Sequence, residues 1–315
     1  MMGAEITDRH EKMRRRIAFN GFFYAAISSA SFGFSPLFSL ALITGGLSYF
    51  DILSYRWGVS AIVLIIYAIT KGKTLRLTSF GEIWKVGILS ALRALTSISL
   101  LIGYANIASG IASTINFMYP VIVAMCMTMF FGEKKSWTTL VAILISIVGV
   151  YLMASGDGSA VNGGNITLGL SCSLISALSF AAYYIVMKRT KSDKIESVKF
   201  TTWIMILCTV YFIAAGLILD GRLTLVTDGV QWLNILGLGL WATMISNFTG
   251  VKAVRRIGPT LTSIMGALQP LTAVILGALF LDEHLGLLSA IGIVLILTAV
   301  TSIILDQKKK HSMLP

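Results

Sequence analysis

Charge is what this sequence has least of. Asp, Glu, Lys and Arg together make up 12% of the 315 residues, against roughly 25% in soluble domains, while 56% are hydrophobic and the mean hydropathy is +0.84. A globular chain of this length could bury a large core but would lack the polar surface to cover it, so the composition points to an integral membrane protein. Acidic groups are scarcer still: there are 14, and none falls in the interior of an apolar run. The three histidines, His10, His284 and His311, also lie outside those runs. An intramembrane enzyme would need an acid, base, nucleophile or metal set at depth, and the runs contain none. No metal or other cofactor is expected. The three cysteines, Cys126, Cys172 and Cys208, sit within apolar stretches at no metal-ligand spacing and read as small buried hydrophobes. Long loops are missing too, which leaves no room for a soluble catalytic domain.

The net charge of +11 does not point to nucleic acid, because the basic residues come in short clusters between apolar runs. Ten such runs are predicted as membrane-spanning helices, at 17–44, 49–70, 83–104, 110–131, 137–154, 166–187, 199–219, 230–251, 260–281 and 286–305. Each is long enough to cross roughly 30 Å of hydrocarbon at about 1.5 Å per residue. The first is too long for a signal-peptide core of about 7–15 residues and should stay in the protein. Alternate connections carry the Lys and Arg; in the opposite set only Arg222 is basic. The positive-inside rule then places both termini in the cytoplasm of a multi-pass protein of the plasma membrane, the inner membrane in a bacterium. Its expected partners are the lipid bilayer and a small-molecule substrate, and a homo-oligomer is allowed.

One stretch occurs twice. Ser113 to Glu133 (STINFMYPVIVAMCMTMFFGE) and Ser263 to Glu283 (SIMGALQPLTAVILGALFLDE) share a serine, a central proline, a phenylalanine and a final glutamate after a shift of 150 residues. Five spans per half make the second copy run opposite to the first, so the halves are inverted repeats, the hallmark of secondary transporters with a midplane site between the halves. The fold class is an all-α polytopic membrane protein with ten transmembrane helices as two inverted five-helix repeats. The divisions are a cytoplasmic segment 1–16, a first repeat 17–154, an external linker 155–165, a second repeat 166–305 and a cytoplasmic tail 306–315.

Away from the span ends only two charges fall inside the spans, and both are arginines. Arg93 lies eleven residues from both Glu82 and Tyr104, about 16 Å from either end of its helix. An unpaired cation there costs ~2.5–3.5 kcal/mol even on the lenient insertion scale, so it should face a wet cavity, an anionic ligand or a cluster of carbonyls freed by a neighbouring proline, the last being a purely structural role. Arg56 lies five residues after Asp51, about 8 Å below the outer interface, and is expected to snorkel to headgroups. Pro120 and Pro270 occupy equivalent mid-span positions and should kink their helices, freeing carbonyls near polar residues that include Asn116, Tyr119 and Gln269. Ser97 shares a helical face with Arg93; Tyr183 with Ser176 and Ser179, and Asn247 with Thr243, form further polar faces. The substrate-binding set is therefore Arg93, Ser97, Asn116, Tyr119, Tyr183, Asn247 and Gln269. Glu133 and Glu283 end their spans and are expected to be solvated or loop-capping.

The segment GYANIASGIASTINFMYPVIVAMCMTMFFGE, its echo IGPTLTSIMGALQPLTAVILGALFLDE, Arg56 early in span two and LGLSCSLISALSFAAYYIVMKR in span six resemble the EamA branch of the drug/metabolite transporter superfamily. That resemblance implies a cavity lined mainly by spans 1, 3, 4, 6, 8 and 9, with spans 5 and 10 peripheral. It implies export or exchange of a small metabolite. The first span lacks the carboxylate with which small multidrug exporters of the wider superfamily bind cations and protons. The function expected is alternating-access transport of a neutral, zwitterionic or anionic metabolite such as an amino acid or organic acid. Export of drugs or cations is the alternative, and an intramembrane enzyme a weaker one.

Overall fold

The computed structural model describes residues 19–77, 79–130, 137–155, 163–190, 192, 195–284 and 286–312. The N-terminal segment, Glu133, most of the linker and the last three residues lie outside them. Among the described residues there are ten helices and no strand. Helix α1 is Phe19–Thr44, interrupted by a turn at Phe34 just before Pro36; α2 is Tyr49–Thr70 and α3 is Phe80–Asn106. Helix α4 comes in two pieces, Ser109–Asn116 and Tyr119–Phe130. Then follow α5 (Trp137–Ser155), α6 (Ile166–Arg189) and α7 (Ser197–Leu219). Helix α8 comprises Gly229–Leu236, a π-helical stretch Gly237–Ile245 and Ser246–Met265; α9 is Leu268–Phe280 and α10 is Leu287–Ser312.

Side-chain caps set several of the starts. Ser48 accepts the Asp51 N–H, Ser79 the Gly81 N–H and Asp228 the Gln231 N–H, which satisfies donors that a helix leaves free in its first turn. Five helices, Phe19–Thr44, Tyr49–Thr70, Phe80–Asn106, Ile166–Met187 and Ser197–Leu219, are by themselves long and apolar enough to cross a membrane. One boundary differs from the sequence reading. The connection placed at Lys252, Arg255 and Arg256 is helical backbone, and the break between α8 and α9 falls instead at Gly266–Ala267. A run of charge marks a water interface without obliging the helix to stop.

The packing follows the repeat. Helix α2 lies along α7, the first piece of α4 against α9, and α5 along α10, so each packs on its own counterpart in the other half. The α3–α6 contact is matched by α1 with α8, where the Ser28 hydroxyl donates to the Ser246 carbonyl (2.7 Å) and the Ser246 hydroxyl to the Ser28 carbonyl (2.8 Å). The matching of the α3–α6 and α1–α8 contacts is what a two-fold relation between the halves requires. Lipid tails are as apolar as side chains, so close van der Waals contact rather than hydrophobic burial holds these helices together. At the α5–α10 crossing a Cβ on Gly292 would lie 2.5 Å from the Gly149 carbonyl oxygen, which demands glycine. The outer sides of this pair are exposed and apolar, with Val141, Leu144, Ile147, Leu287 and Val294, a surface suited to lipid.

Both ends of the α2–α7 contact are tied. At one end Asp51 accepts the Thr224 N–H (3.0 Å), while Tyr55 donates to the Thr224 carbonyl and accepts the Val226 N–H. At the other, Lys199 pairs with Glu82 (3.1 Å) and the Trp203 indole donates to the Leu75 carbonyl (2.7 Å).

Candidate functional site

Arg93 is the midpoint of the 27-residue α3 and is half-buried. Its guanidinium carbon lies 4.7 Å from the centre of the Phe180 ring, 5.5 Å from that of Tyr183 and 5.7 Å from that of Trp57. Among the described residues it has no hydrogen-bond acceptor and no carboxylate partner. Cation–π contacts return about 0.5–1 kcal/mol each, more when dry, which offsets much of the cost of depth. They do nothing for its five N–H donors, which still want acceptors.

Around this centre α3, α4 and α6 bring several of the candidates together. Tyr183 touches Arg93 directly. Tyr119, at the start of the second piece of α4, packs 4.7 Å from Phe180 and stacks on Tyr184 at 5.2 Å. Ser97 is buried one turn along α3 from Arg93, and its hydroxyl has no hydrogen-bond partner among the described residues. Asn116 is buried, and its Oδ1 accepts from Ser176 (2.8 Å), which also donates to the Thr96 carbonyl. That amide ties α4 to α6. The polar pair Thr96–Ser179 (3.0 Å) makes a second α3–α6 link.

The remaining two candidates sit apart. Asn247 donates to the Thr243 carbonyl of its own helix (2.6 Å). Gln269 is half-buried beside the break that precedes Pro270. Neither hydrogen-bonds to the Arg93 group. Helix α1 presses on this break: a Cβ on Gly33 would lie 2.8 Å from the Gln269 carbonyl oxygen and 2.5 Å from the Thr272 Cβ. In both halves the helix gives way just before a proline, at Phe117–Met118 before Pro120 and at Gly266–Ala267 before Pro270.

Arg56 corrects the expectation that it snorkels outward. It is 5% exposed, its Nε donates to the Thr243 hydroxyl (2.8 Å) and its Nη1 to Ser35 (3.2 Å), and its guanidinium carbon lies 5.6 Å from the Phe32 ring centre and 5.8 Å from that of Trp57. Depth along a helix allows snorkelling, but rotation decides it, and this face of α2 turns toward α1 and α8. The π-helical stretch makes the approach feasible: Thr243 donates to the Leu238 carbonyl five residues back, and the Gly239 carbonyl accepts from Ser60. Such π segments inside helices recur at functional sites. Glu283 departs likewise from a solvated end. It is 7% exposed and both of its carboxylate oxygens accept the Ser109 N–H at the first residue of α4. Trp57, Phe180, Thr243 and Ser35 were absent from the sequence-derived set; pairing of helices brought them in, and periodicity within one helix carries no record of pairing.

Comparison with known proteins accords with this architecture. The model of the EamA-like transporter family matches residues 19–155 and again 167–305. A probable amino-acid metabolite efflux pump of Escherichia coli (strain K12) is 27% identical over 185 residues, 53% of this chain and 58% of that protein. The uncharacterized transporter YdfC of Bacillus subtilis (strain 168) is 27% identical over 241 residues, 76% of each chain, and protein PecM of Dickeya dadantii (strain 3937) is 22% identical over 221 residues, 70% of this chain and 73% of that one. One crystal structure superposes with a TM-score of 0.61 at 14% identity, covering 95% of this chain and 99% of its own, a likeness of fold alone. With a match in each half spanning most of the residues, the chain belongs to the EamA-like transporter family, and it is a multi-pass membrane protein.

Proposed function

We propose that this transporter carries a small metabolite bearing a carboxylate, an amino acid or organic acid, by alternating access of its two halves. The observation that carries this reading is Arg93: a mid-helix guanidinium, half-buried, held by three aromatic rings and lacking an acceptor among the described residues. A carboxylate supplies the missing acceptors and the missing charge together, and bidentate pairing suits the planar fork. Ser97, Tyr119 and Tyr183 would contribute hydrogen bonds from the same helices, with Asn116 and Gln269 beside the two breaks and Asn247 on α8 completing the polar set. Pro120 and Pro270 mark where one helix in each half, 17–154 and 166–305, gives way on either side of the 155–165 linker in sequence. The setting is the plasma membrane, with both termini on the cytoplasmic side. Among the described residues no Asp or Glu pairs with Arg93 to carry a proton, which favours facilitated diffusion or exchange over strict proton antiport.

Export of organic cations fits less well. The aromatic faces that would hold a quaternary ammonium group are already filled by Arg93. The test is flux in liposomes reconstituted with purified protein, comparing carboxylate solutes with a quaternary ammonium compound. Carboxylate flux that falls at least tenfold in Arg93→Gln, with no ammonium flux, bears the reading out. Ammonium flux that persists in Arg93→Gln overturns it.

A further inference from the structure

The carboxylate reading above rests on Arg93, yet Arg93 is one of two guanidiniums gathered on the same indole. Arg56 and Arg93 each lie within 6 Å of the centre of the Trp57 ring, at 5.8 and 5.7 Å. Trp57 itself is 2% exposed, and its Nε1–H is buried with no acceptor among the described residues. Arg56 spends one N–H on Thr243 and one on Ser35, both neutral hydroxyls, and its other N–H groups have no acceptor among the described residues. Neither arginine has a carboxylate within ion-pair distance among those residues; Asp51, one turn above Arg56, accepts from Thr224 instead. The pair therefore brings two positive charges and a set of open hydrogen bonds that are all donors. Two positive charges set against one indole, in a medium of low dielectric, favour an anion that both can reach.

We propose that Arg56, Trp57 and Arg93 form a two-point anion site, and that the preferred substrate is a small dianion: two acidic oxygen groups on one short skeleton, or a single doubly charged one. Arg93, half-buried, takes the first charge. Arg56, deeper and fixed by Thr243 of the π-helical stretch and by Ser35 of α1, takes the second, and the Trp57 N–H completes the acceptor's shell. A monoanion neutralises only one guanidinium and leaves the other without an anion. The site also links four elements of both halves, α1, α2, α3 and α8, so filling it couples substrate charge to the packing of the repeats. This reading rests on the proposed carboxylate function and narrows its substrate class.

Binding to detergent-purified full-length protein decides it, with succinate and glycerol phosphate as dianions and butyrate as the monoanion of the same reach. The expected result is an affinity for at least one dianion tenfold or more above that for butyrate, and the tighter of the two identifies the carboxylate or the phosphate source. In Arg56→Lys and in Trp57→Phe, which keeps the ring and removes the N–H, dianion affinity falls at least tenfold further than butyrate affinity. Trp57→Phe decides the point if Arg56→Lys does not fold. Equal affinity for butyrate and both dianions in the wild type, or a preference unchanged in Trp57→Phe, overturns the two-point site and leaves the single-arginine reading standing. Wild-type protein that binds none of the three anions overturns the two-point site, and the flux test with Arg93→Gln then decides the single-arginine reading separately.

Discussion

The Glu283 carboxylate accepts the Ser109 backbone N–H at 2.9 and 3.0 Å and the Ser109 hydroxyl at 2.8 Å, 174 residues away in sequence. It thereby caps the first turn of α4 from the end of α9, placing an anion where the helix dipole is positive. Removing it in Glu283→Ala strands a buried donor, a loss of about 1–3 kcal/mol. A lowered Tm in detergent checks this, and an unchanged Tm refutes it.

The same group sets a pH dependence. Burial pushes the Glu283 carboxyl above the ordinary carboxylate range, and the Ser109 bonds pull it partly back. A pKa raised in the fold means that the folded state holds its proton more tightly than the unfolded state does. The contribution to stability is thus full below the ordinary value of about 4.3 and is lost as pH rises through the raised one. Glu283→Gln, fixed in the protonated likeness, lacks this loss. The Tm of the wild type relative to Glu283→Gln should therefore decline as pH climbs from 4 and then level off, and a constant difference from pH 4 to 8 would show the carboxyl unperturbed.

The breaks before Pro120 and Pro270 stand at equivalent places in the two halves. A proline inside a helix removes one hydrogen bond and crowds the carbonyl a turn earlier. Pro120→Ala and Pro270→Ala restore the donor and favour an unbroken helix. Both variants are expected to fold and each to slow flux about tenfold, equivalent to ~1.4 kcal/mol on the limiting barrier. Unchanged flux in both would make the prolines features of packing alone.

Backbone contact at the α5–α10 crossing leaves no room for a side chain. With 2.5 Å between a Cβ on Gly292 and the Gly149 carbonyl oxygen, and 2.6 Å to the Met153 Cγ, Gly292→Val forces the helices apart. Overpacking of this kind typically costs about 1–3 kcal/mol. A drop in Tm follows without a change in substrate preference, because the crossing contains none of the candidate binding residues; a substitution that leaves Tm intact contradicts the close approach.

The spans, the duplication and the paired prolines were legible because each is written in a local pattern: apolar runs, a shift of 150 and a residue type with one backbone consequence. Arg93 was legible by depth alone. What surrounds it was not, since Trp57 and Phe180 arrive from α2 and α6 and nothing in α3 names its neighbours. Arg56 misled for a related reason. Its distance from the helix end suited snorkelling, while the side it faces depends on the π-helical turn near Thr243, which no residue pattern announces. Asn116 is a candidate because it is polar at depth; that its Oδ1 accepts from Ser176 of α6 was not legible, because that partner comes from another helix. Glu283 looked like an ordinary helix end, and its partner lies in the other half of the chain.

The orientation follows from where the basic residues gather. Lys73 and Lys199 stand at one end of the α2–α7 pair, where they bond Glu196 and Glu82, and the opposite end carries Asp51 and the 220–228 connection. Positive charge is retained on the cytoplasmic side, so the Lys73 end is expected to face inside and the Asp228 end outside. Cysteines introduced singly at Asp228 and at Lys73, in a background with Cys126, Cys172 and Cys208 replaced by serine, separate the two faces. Asp228→Cys is expected to react with an impermeant thiol reagent added to intact cells, and Lys73→Cys only after the cells are opened. The reverse pattern would invert the topology, and labelling of both in intact cells would mean that the two ends of the α2–α7 pair are not on opposite sides of the membrane.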